Sequence, residues 1–231
     1  MGFKNSFIIG ICCITILAAC NSQAQQTNLS VAEFEKGIAQ NNIQVLDVRT
    51  PDEYQSGHLK NALLADWNND AEFQQRVKAL DKSKPVYTYC LSGGRSSAAT
   101  QYLKQNGFNA FNLSGGISAW KTENKPVEQA ASVKQMSLQE YHAQIPNDKT
   151  VLVDFSAVWC PPCKKMTPLL DSLVKTNGNQ FVLVKINGGE QTEISRELKV
   201  DGFPTFIIYK QGKEVWRQQG ILEAKEFIEQ F

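Results

Sequence analysis

The run Trp-Cys-Pro-Pro-Cys at residues 159–163 limits the possible folds of this chain more than any other motif in it. It follows a strand-like segment, 151–155, and precedes a helix-like segment, 164–173. The first turn of a helix has N–H groups without intrahelical partners and carries the positive end of the helix dipole, and both stabilise a thiolate. We therefore expect a lowered pKa at Cys160, which makes it the nucleophile, and expect Cys163 to resolve mixed disulfides formed there.

A structural disulfide or half of a zinc site would also account for this cysteine pair. A zinc site needs a second pair of Cys or His ligands at suitable spacing, and the two histidines of the chain, His58 and His142, are isolated in the sequence. The sequence therefore favours a redox site, with no metal and no cofactor.

Residues 153–168 resemble the active-site segment of thioredoxins, and residues 202–205, Gly-Phe-Pro-Thr, resemble their cis-proline loop. The resemblance covers about residues 135–231 and implies a thioredoxin fold with a mixed sheet. It implies that Asp154 is a buried carboxylate that takes a proton from Cys163 and that Lys185 tunes this carboxylate. It also implies that Pro204 follows a cis peptide bond, with the Phe203 backbone offered to an extended substrate peptide.

Two departures from the thioredoxin pattern leave the direction of electron flow open. Ser156 stands where thioredoxins have a second tryptophan, and Pro-Pro replaces Gly-Pro between the cysteines. The pair is therefore open to two interpretations, a reductant of disulfides in partner proteins or an oxidant of thiols.

The part of the chain from Leu29 onward alternates helix-like and strand-like segments, which favours a parallel sheet covered by helices. Ser30 and Glu33 have the spacing of a capping box and predict a helix over 30–39. Further segments are predicted as strands over 43–48, 62–65 and 85–89, and as helices over 52–56, 70–80 and 97–105.

A glycine-containing loop follows the predicted strand that ends at Tyr89. It consists of Cys90, Leu91, Ser92, Gly93, Gly94, Arg95 and Ser96. The glycines allow successive N–H groups to point inward, and Arg95 adds a positive charge, so we expect the loop to stabilise a thiolate or a persulfide on Cys90. An inert buried cysteine is the alternative.

These residues resemble the rhodanese family, together with the motifs at 46–49, 57–59 and 113–116 and with Trp120. The resemblance covers about residues 29–125. It implies that Cys90 takes sulfane sulfur from a donor such as thiosulfate and passes it from a persulfide to a nucleophile. Asp47, Arg49 and His58 are expected to hold the loop. Cysteine phosphatases place five residues between cysteine and arginine, but four separate Cys90 from Arg95, which favours sulfur chemistry over phosphate.

The N-terminal segment has Lys4 before an apolar run over 7–19, which is typical of a signal peptide. Its end, Leu-Ala-Ala-Cys20, resembles the bacterial lipobox, which implies cleavage before Cys20 and lipidation of that residue. A signal peptide over 1–19 and a tether over 20–28 would then anchor the protein to the cell envelope, facing the periplasm. The absence of Asp after Cys20 favours the outer membrane. An ordinary cleaved signal or an uncleaved anchor is the alternative.

The length of 231 residues suits two domains, which we place at 29–125 and 136–231 with a linker over 126–135. Lys and Arg number 24 against 23 Asp and Glu, so no basic field favours nucleic acid binding. The predicted partners are a sulfane-sulfur donor, thiol or disulfide proteins, and a membrane reached through the lipid anchor.

Two functions remain open from the sequence. The first is a tethered sulfurtransferase coupled to a thiol–disulfide oxidoreductase, in which the Cys160/Cys163 pair reduces a Cys90 persulfide. The second is a periplasmic disulfide reductase whose first domain serves as a binding module.

Overall fold

The computed structural model describes residues 1–2, 27–129 and 133–231. Most of the predicted signal peptide, Cys20 and the greater part of the tether lie outside the described residues. Within the described ranges, no helix has both the length and the apolar character needed to cross a membrane.

The N-terminal domain is a parallel sheet covered by helices. Its elements are β1 (Asn28–Leu29), α1 (Val31–Ile38), β2 (Gln44–Asp47), α2 (Pro51–Gln55), β3 (Leu63–Leu64), α3 (Asp70–Val77), β4 (Val86–Tyr89), α4 (Gly94–Gln105), β5 (Ala110–Leu113) and α5 (Gly116–Thr122). The strand order is β1-β5-β4-β2-β3, with every neighbouring pair parallel. Since the carboxyl ends of parallel strands share one edge, Cys90 lies at the same edge as the end of β3.

The C-terminal domain is built on a mixed sheet. Its elements are α6 (Leu138–His142), β6 (Thr150–Ser156), α7 (Pro161–Asn177), β7 (Phe181–Asn187), α8 (Thr192–Glu197), β8 (Thr205–Lys210), β9 (Lys213–Gln219) and α9 (Ala224–Ile228). The strand order is β7-β6-β8-β9, in which β6 and β7 are parallel and the other neighbours antiparallel. The predicted α/β class, with a parallel-sheet domain followed by a mixed-sheet domain, is confirmed.

Apolar packing continues from the first domain into the second. One cluster of buried side chains includes Leu59 and Leu64 from the first domain together with Trp159, Cys160 and Cys163 from the second. Removing such apolar surface from water is the main favourable term in association, so the two domains share part of their core.

The predicted linker, 126–135, is paired at both ends. Glu128 and His58 exchange two backbone hydrogen bonds of 2.8 Å, which ties the start of this segment to the first domain. Gln135 donates to the Glu190 carbonyl oxygen at 2.9 Å, which ties its end to the second. Residues 130–132 lie outside the described part of the chain.

Candidate active sites

Cys90 lies directly after β4 with 1% of its surface exposed. Its Sγ accepts hydrogen bonds from the N–H of Gly93 at 3.1 Å and the hydroxyl of Ser96 at 3.4 Å. Burial alone would raise the pKa of the Cys90 thiol, but hydrogen bonds from Ser96, Gly93 and Ser92 outweigh it, so the pKa lies below its usual value. The predicted loop therefore has the geometry that stabilises a thiolate.

Helix α4 begins earlier than the sequence predicted. The expected start was Ser97, whereas Gly94, Arg95 and Ser96 already form the first turn. The left-handed conformation of Gly93, with φ of 98°, turns the chain at this point. The positive end of α4 thus lies next to Cys90, which adds to the stabilisation of a thiolate.

Arg95 is engaged by an acidic partner that the sequence analysis did not assign. Its guanidinium binds both carboxylate oxygens of Glu53 on α2, at 2.8 and 2.6 Å. This hydrogen bonding is the main cause that lowers the pKa of Glu53 to about 2, so the pair stays charged at neutral pH. The charge of Arg95 at the mouth of the Cys90 loop is therefore largely balanced.

The start of α5 supports the Cys90 loop from its other side. The N–H groups of Ile117 and Ser118 donate to the carbonyl oxygens of Cys90 and Leu91, at 2.8 and 3.0 Å. Gly116 has φ of 59°, and a Cβ there would collide with the Cys90 carbonyl oxygen. Glycine is required at 116 because both its backbone conformation and the available space exclude a side chain.

The residues expected to hold the loop fix a neighbouring segment. Arg49 binds Asp47 through two nitrogens and donates to the Gly57 carbonyl oxygen at 2.7 Å, while its guanidinium lies 5.5 Å from the centre of the Tyr89 ring. His58 stacks on Tyr54 with ring centres 3.8 Å apart. These contacts attach residues 57–58 to the carboxyl edge of the sheet, beside the strand that precedes Cys90.

Cys160 and Cys163 form a disulfide at the start of α7. The sequence predicted a helix from Lys164, but α7 begins at Pro161, because prolines at first-turn positions give up no helical hydrogen bond. The N–H of Cys163 points at the Cys160 Sγ at 3.2 Å, so a Cys160 thiolate would gain a hydrogen bond. Cys160 is fully buried and Cys163 is 6% exposed.

The three supporting residues implied by the thioredoxin resemblance, Asp154, Lys185 and Pro204, all lie in the second domain. Asp154 on β6 is in register with Lys185 on β7, and the Lys185 Nζ lies 3.7 Å from the Asp171 carboxylate. Burial raises the pKa of Asp154 to about 6, against the charge of Lys185 and a hydrogen bond from Ser156. The Phe203–Pro204 peptide bond is cis, as the resemblance implied.

A cleft of about 620 Å³ lies between the domains and reaches this site. Asp154, Cys163 and Lys185 line it from the second domain, and Tyr54 and His58 line it from the first. The Asp154 Oδ1 atom is buried without a hydrogen-bond partner among the described residues, consistent with a carboxyl group placed to exchange a proton.

The contact between the domains is centred on Trp159, and sequence reasoning missed it. The Leu64 N–H donates to the Trp159 carbonyl oxygen at 2.9 Å, and the Arg76 guanidinium lies over the indole at 4.6 Å. Gln55 adds a hydrogen bond of 3.3 Å to the Gly189 carbonyl oxygen. No local pattern reveals these contacts, since both leucines of β3 read simply as core residues.

The structure does not bring Cys90 and Cys160 into contact. Tyr89 and Leu64 are each in register with Asp47 on the intervening strand β2, and Trp159 lies beyond Leu64 at the outer edge. Three strand spacings of about 4.8 Å place the two cysteines roughly 14 Å apart along the sheet. Direct sulfur transfer between them therefore requires the domains to move.

The C-terminal domain has recognisable relatives among known proteins. A family model described as Thioredoxin matches residues 132–231. A thioredoxin from Echinococcus granulosus is 36% identical over 94 residues, which cover 41% of this chain and 87% of that protein. The chain belongs to the thioredoxin family. The chloroplastic thioredoxin Y of Oryza sativa subsp. japonica is 40% identical over 84 residues, which cover 36% of this chain and 50% of that relative. The chain thus spans about half of that relative's length.

The thioredoxin domain is preceded by a second recognised unit. A model described as Rhodanese-like domain matches residues 30–123. The crystal structure of a rhodanese-related protein from Thermoplasma volcanium is 31% identical, with a TM-score of 0.41, and the match covers 45% of this chain and 98% of that one. The two family models together show that this thioredoxin-family chain carries a rhodanese-like domain followed by a thioredoxin domain, each with its own cysteine site.

Proposed function

We propose that this protein is an exported, membrane-tethered enzyme that joins a sulfurtransferase to a thiol–disulfide oxidoreductase. The observation that carries the proposal is the presence, in one chain, of two sulfur sites that each have N–H donors to a thiolate. The Gly93 N–H donates to the Cys90 Sγ, and the Cys163 N–H donates to the Cys160 Sγ. Lowered thiol pKa values are what both sulfur transfer and disulfide exchange require.

The first step takes sulfur from the donor. The Cys90 thiolate attacks the outer sulfur of thiosulfate, the S–S bond of thiosulfate breaks, sulfite leaves, and a Cys90 persulfide anion remains. The N–H groups around Cys90 that favour a thiolate also favour this anion.

The second step reduces the transferred sulfur. The Cys160 thiolate attacks the outer sulfur of the persulfide, so the sulfur moves to Cys160 and the Cys90 thiolate leaves. Cys163 then attacks the Cys160 Sγ, releasing hydrosulfide and forming the Cys160–Cys163 disulfide. The sulfane sulfur gains the two electrons that the thiol pair loses, and an external thiol reductant restores the pair.

The rate of sulfide release tests this coupling. With thiosulfate and a fixed thiol reductant, Cys160→Ala should release sulfide at least tenfold more slowly than the wild type, and Cys90→Ala should abolish release. Ser172→Ala, on an exposed position of α7, is the matched control and should behave as the wild type. Release by Cys160→Ala at the wild-type rate would refute the coupling.

Export and tethering are proposed from the lipobox-like sequence that ends at Cys20. Two acyl chains hold a protein on a membrane, because each buried methylene contributes about 0.8 kcal/mol. In a bacterial host, the wild type should fractionate with membranes and Cys20→Ser should not. Equal distribution of the two proteins would exclude a lipid anchor at this residue.

A second candidate function is disulfide reduction in partner proteins, with the rhodanese-like domain as a binding module. The hydrogen bond between Leu64 and Trp159 favours it, because the first domain already makes a backbone contact beside the cysteine pair. Intact-mass measurement of the Cys163→Ser variant after incubation with thiosulfate separates the two functions, because this variant cannot release the transferred sulfur as hydrosulfide. A gain of one sulfur atom on Cys90 supports sulfur transfer, and an unchanged mass supports the binding module.

A further inference from the structure

Strand β3 is an edge strand, and its outward backbone groups are occupied by the contact between the domains. The Ala65 N–H points inward to the Asp47 carbonyl oxygen on β2, so the neighbouring Leu64 N–H points outward. That N–H donates to the Trp159 carbonyl oxygen at 2.9 Å. The thioredoxin domain therefore binds the exposed edge of the rhodanese-like sheet through one backbone hydrogen bond, the kind of contact by which a peptide adds to a sheet edge.

Arg76 closes the same contact from α3. It is 4% exposed, donates to the Leu64 carbonyl oxygen at 2.9 Å and forms an ion pair with Glu72. Its guanidinium also lies 4.6 Å from the centre of the Trp159 ring. One arginine thus binds both the edge strand and the tryptophan that precedes the nucleophilic cysteine, and such desolvated arginine–aromatic contacts are among the stronger ones at interfaces.

The result is a covered disulfide. Cys160 has no exposed surface and Trp159 has 7%, and both belong to the cluster that includes Leu59, Ala62 and Leu64. A folded partner protein cannot bring one of its sulfur atoms to the Cys160 Sγ while these first-domain residues remain in place. Disulfide exchange requires the attacking sulfur to approach along the axis of the S–S bond.

We propose that the segment 59–64 is an internal occupant of the peptide-binding face of the thioredoxin domain, and that protein partners reach Cys160 only after it leaves. The occupant is a short extended segment that offers one backbone N–H and apolar side chains. The partners that displace it are therefore proteins with an extended apolar segment beside a cysteine. The inference deepens the oxidoreductase part of the proposed function and depends on it.

Small thiols have a different route to the same disulfide. The cleft of about 620 Å³ is lined by Cys163, whereas Cys160 does not line it. A small thiolate that enters attacks the Cys163 Sγ, forms a mixed disulfide there and expels the Cys160 thiolate, which the Cys163 N–H stabilises. A second thiolate releases Cys163 and forms the oxidised small-molecule disulfide. The closed arrangement therefore discriminates between partners by size.

The test compares a protein substrate with a small one in the full chain. Insulin disulfides are the protein substrate, with dithiothreitol as electron source, and single-turnover reduction of the Cys160–Cys163 disulfide by dithiothreitol is the small-molecule reaction. Arg76→Met removes the guanidinium contacts, and Leu64→Pro removes the N–H that binds Trp159. Each should raise insulin turnover at least threefold and change the dithiothreitol rate less than twofold.

Arg217→Met is the matched control, because Arg217 also binds a glutamate, Glu214, and a backbone carbonyl oxygen, but within the second domain. It should leave both rates at the wild-type values. Far-UV circular dichroism establishes that each variant is folded. Arg76→Met and Leu64→Pro remove different contacts with Trp159, so the result of either variant is sufficient for the test.

The two levels of the proposal fail in different ways. Insulin turnover that is equally fast in the wild type, Arg76→Met and Leu64→Pro overturns the internal occupant and leaves the oxidoreductase standing. Absence of insulin turnover in all of these proteins, while dithiothreitol still reduces the disulfide, contradicts both the occupant and the proposed action on protein disulfides.

Discussion

Two buried acidic groups, Cys90 and Asp154, show how local hydrogen bonding decides the sign of a pKa shift. Burial disfavours the ionised form of both groups. Donors from Ser96, Gly93 and Ser92 reverse this effect at Cys90 and lower its pKa, whereas burial prevails at Asp154 and raises its pKa to about 6. The first group is therefore suited to act as a nucleophile, and the second to hold and release a proton near neutral pH.

Replacing Ser96 tests the environment of Cys90. Ser96→Ala removes the hydroxyl donor to Sγ, so the pKa of the Cys90 thiol should rise and its alkylation at pH 7 should slow severalfold. The rate of reaction with iodoacetamide as a function of pH measures this shift. Ser92→Ala is the matched control, because Ser92 acts through its backbone N–H, and its profile should match the wild type. Coincident profiles for all three proteins would contradict the assignment.

The raised pKa of Asp154 makes the stability of the protein depend on pH. A carboxyl group whose pKa is raised in the folded state stabilises that state at pH values below its ordinary pKa of 3.8. This stabilisation is lost as the pH rises through about 6. At about 1.4 kcal/mol per pKa unit, the loss amounts to about 3 kcal/mol. Asp154→Asn should therefore be more stable than the wild type at pH 8, with most of the difference gone at pH 4.

Urea unfolding at the two pH values measures this difference. Asp171→Asn is the control, because Asp171 is exposed and also lies near Lys185. It should show the wild-type dependence on pH. An Asp154→Asn variant whose stability relative to the wild type does not change between pH 4 and pH 8 would show that burial does not raise this pKa.

At the scale of elements, the Cys90 loop depends on the start of α5 as much as on its own glycines. Gly116→Ala would place a Cβ against the Cys90 carbonyl oxygen in a backbone conformation with φ of 59°. We expect the first domain to lose about 2 kcal/mol or more of stability, as is typical where alanine replaces a glycine of positive φ in a tight site. Calorimetric unfolding measures the loss.

Gly94→Ala is the matched control for stability. A Cβ at Gly94 meets nothing within 4 Å, and the residue lies in the first turn of α4. Alanine there should be neutral or slightly stabilising, since it reduces the freedom of the unfolded chain. Equal losses in the two variants would mean that the contact between Gly116 and Cys90 is not what holds the loop.

Most elements could be predicted from the sequence, because their signals are local. The capping box of Ser30 with Glu33 marks the start of α1, where the structure has it. Strand β5 has no prediction of its own, since only its last residue, Leu113, belongs to a recognised motif. Helix α4 begins three residues before its predicted start, because the low helix propensity of Gly94 argues against a helix there.

The candidate cysteines were also predictable, but their surroundings were not. Cys90 and the pair at 160–163 stand in local patterns of glycine, proline and arginine that point to sulfur chemistry. The contacts of Glu53 with Arg95, and of Leu64 and Arg76 with Trp159, join segments far apart in the sequence. The hydrogen bond from Leu64 to Trp159 leaves no periodic signal in the sequence, since both residues have the pattern of ordinary core residues.

In the molecule as a whole, the chain is a thioredoxin-family protein whose Cys160 is buried where the thioredoxin domain packs against the rhodanese-like domain. The arrangement separates Cys90 from Cys160 by roughly three strand spacings of about 4.8 Å. Cys160 is buried in an apolar cluster that also contains Leu64 of β3. Release of the thioredoxin domain would thus serve two purposes, access for protein partners and contact with a Cys90 persulfide. In the proposed function, sulfur transfer between the sites and disulfide exchange with partners would depend on the same motion.

Intact-mass measurement shows whether the Cys160/Cys163 pair reduces the sulfur taken up by Cys90. The reduced wild type and the reduced Cys163→Ser variant are each mixed with one equivalent of thiosulfate and quenched with acid, and their intact masses are measured. We predict that Cys163→Ser keeps a gain of one sulfur atom, and that the wild type loses two hydrogen atoms and keeps no added sulfur. A wild type that retains the sulfur, or a Cys163→Ser variant that gains none, would contradict the proposed coupling.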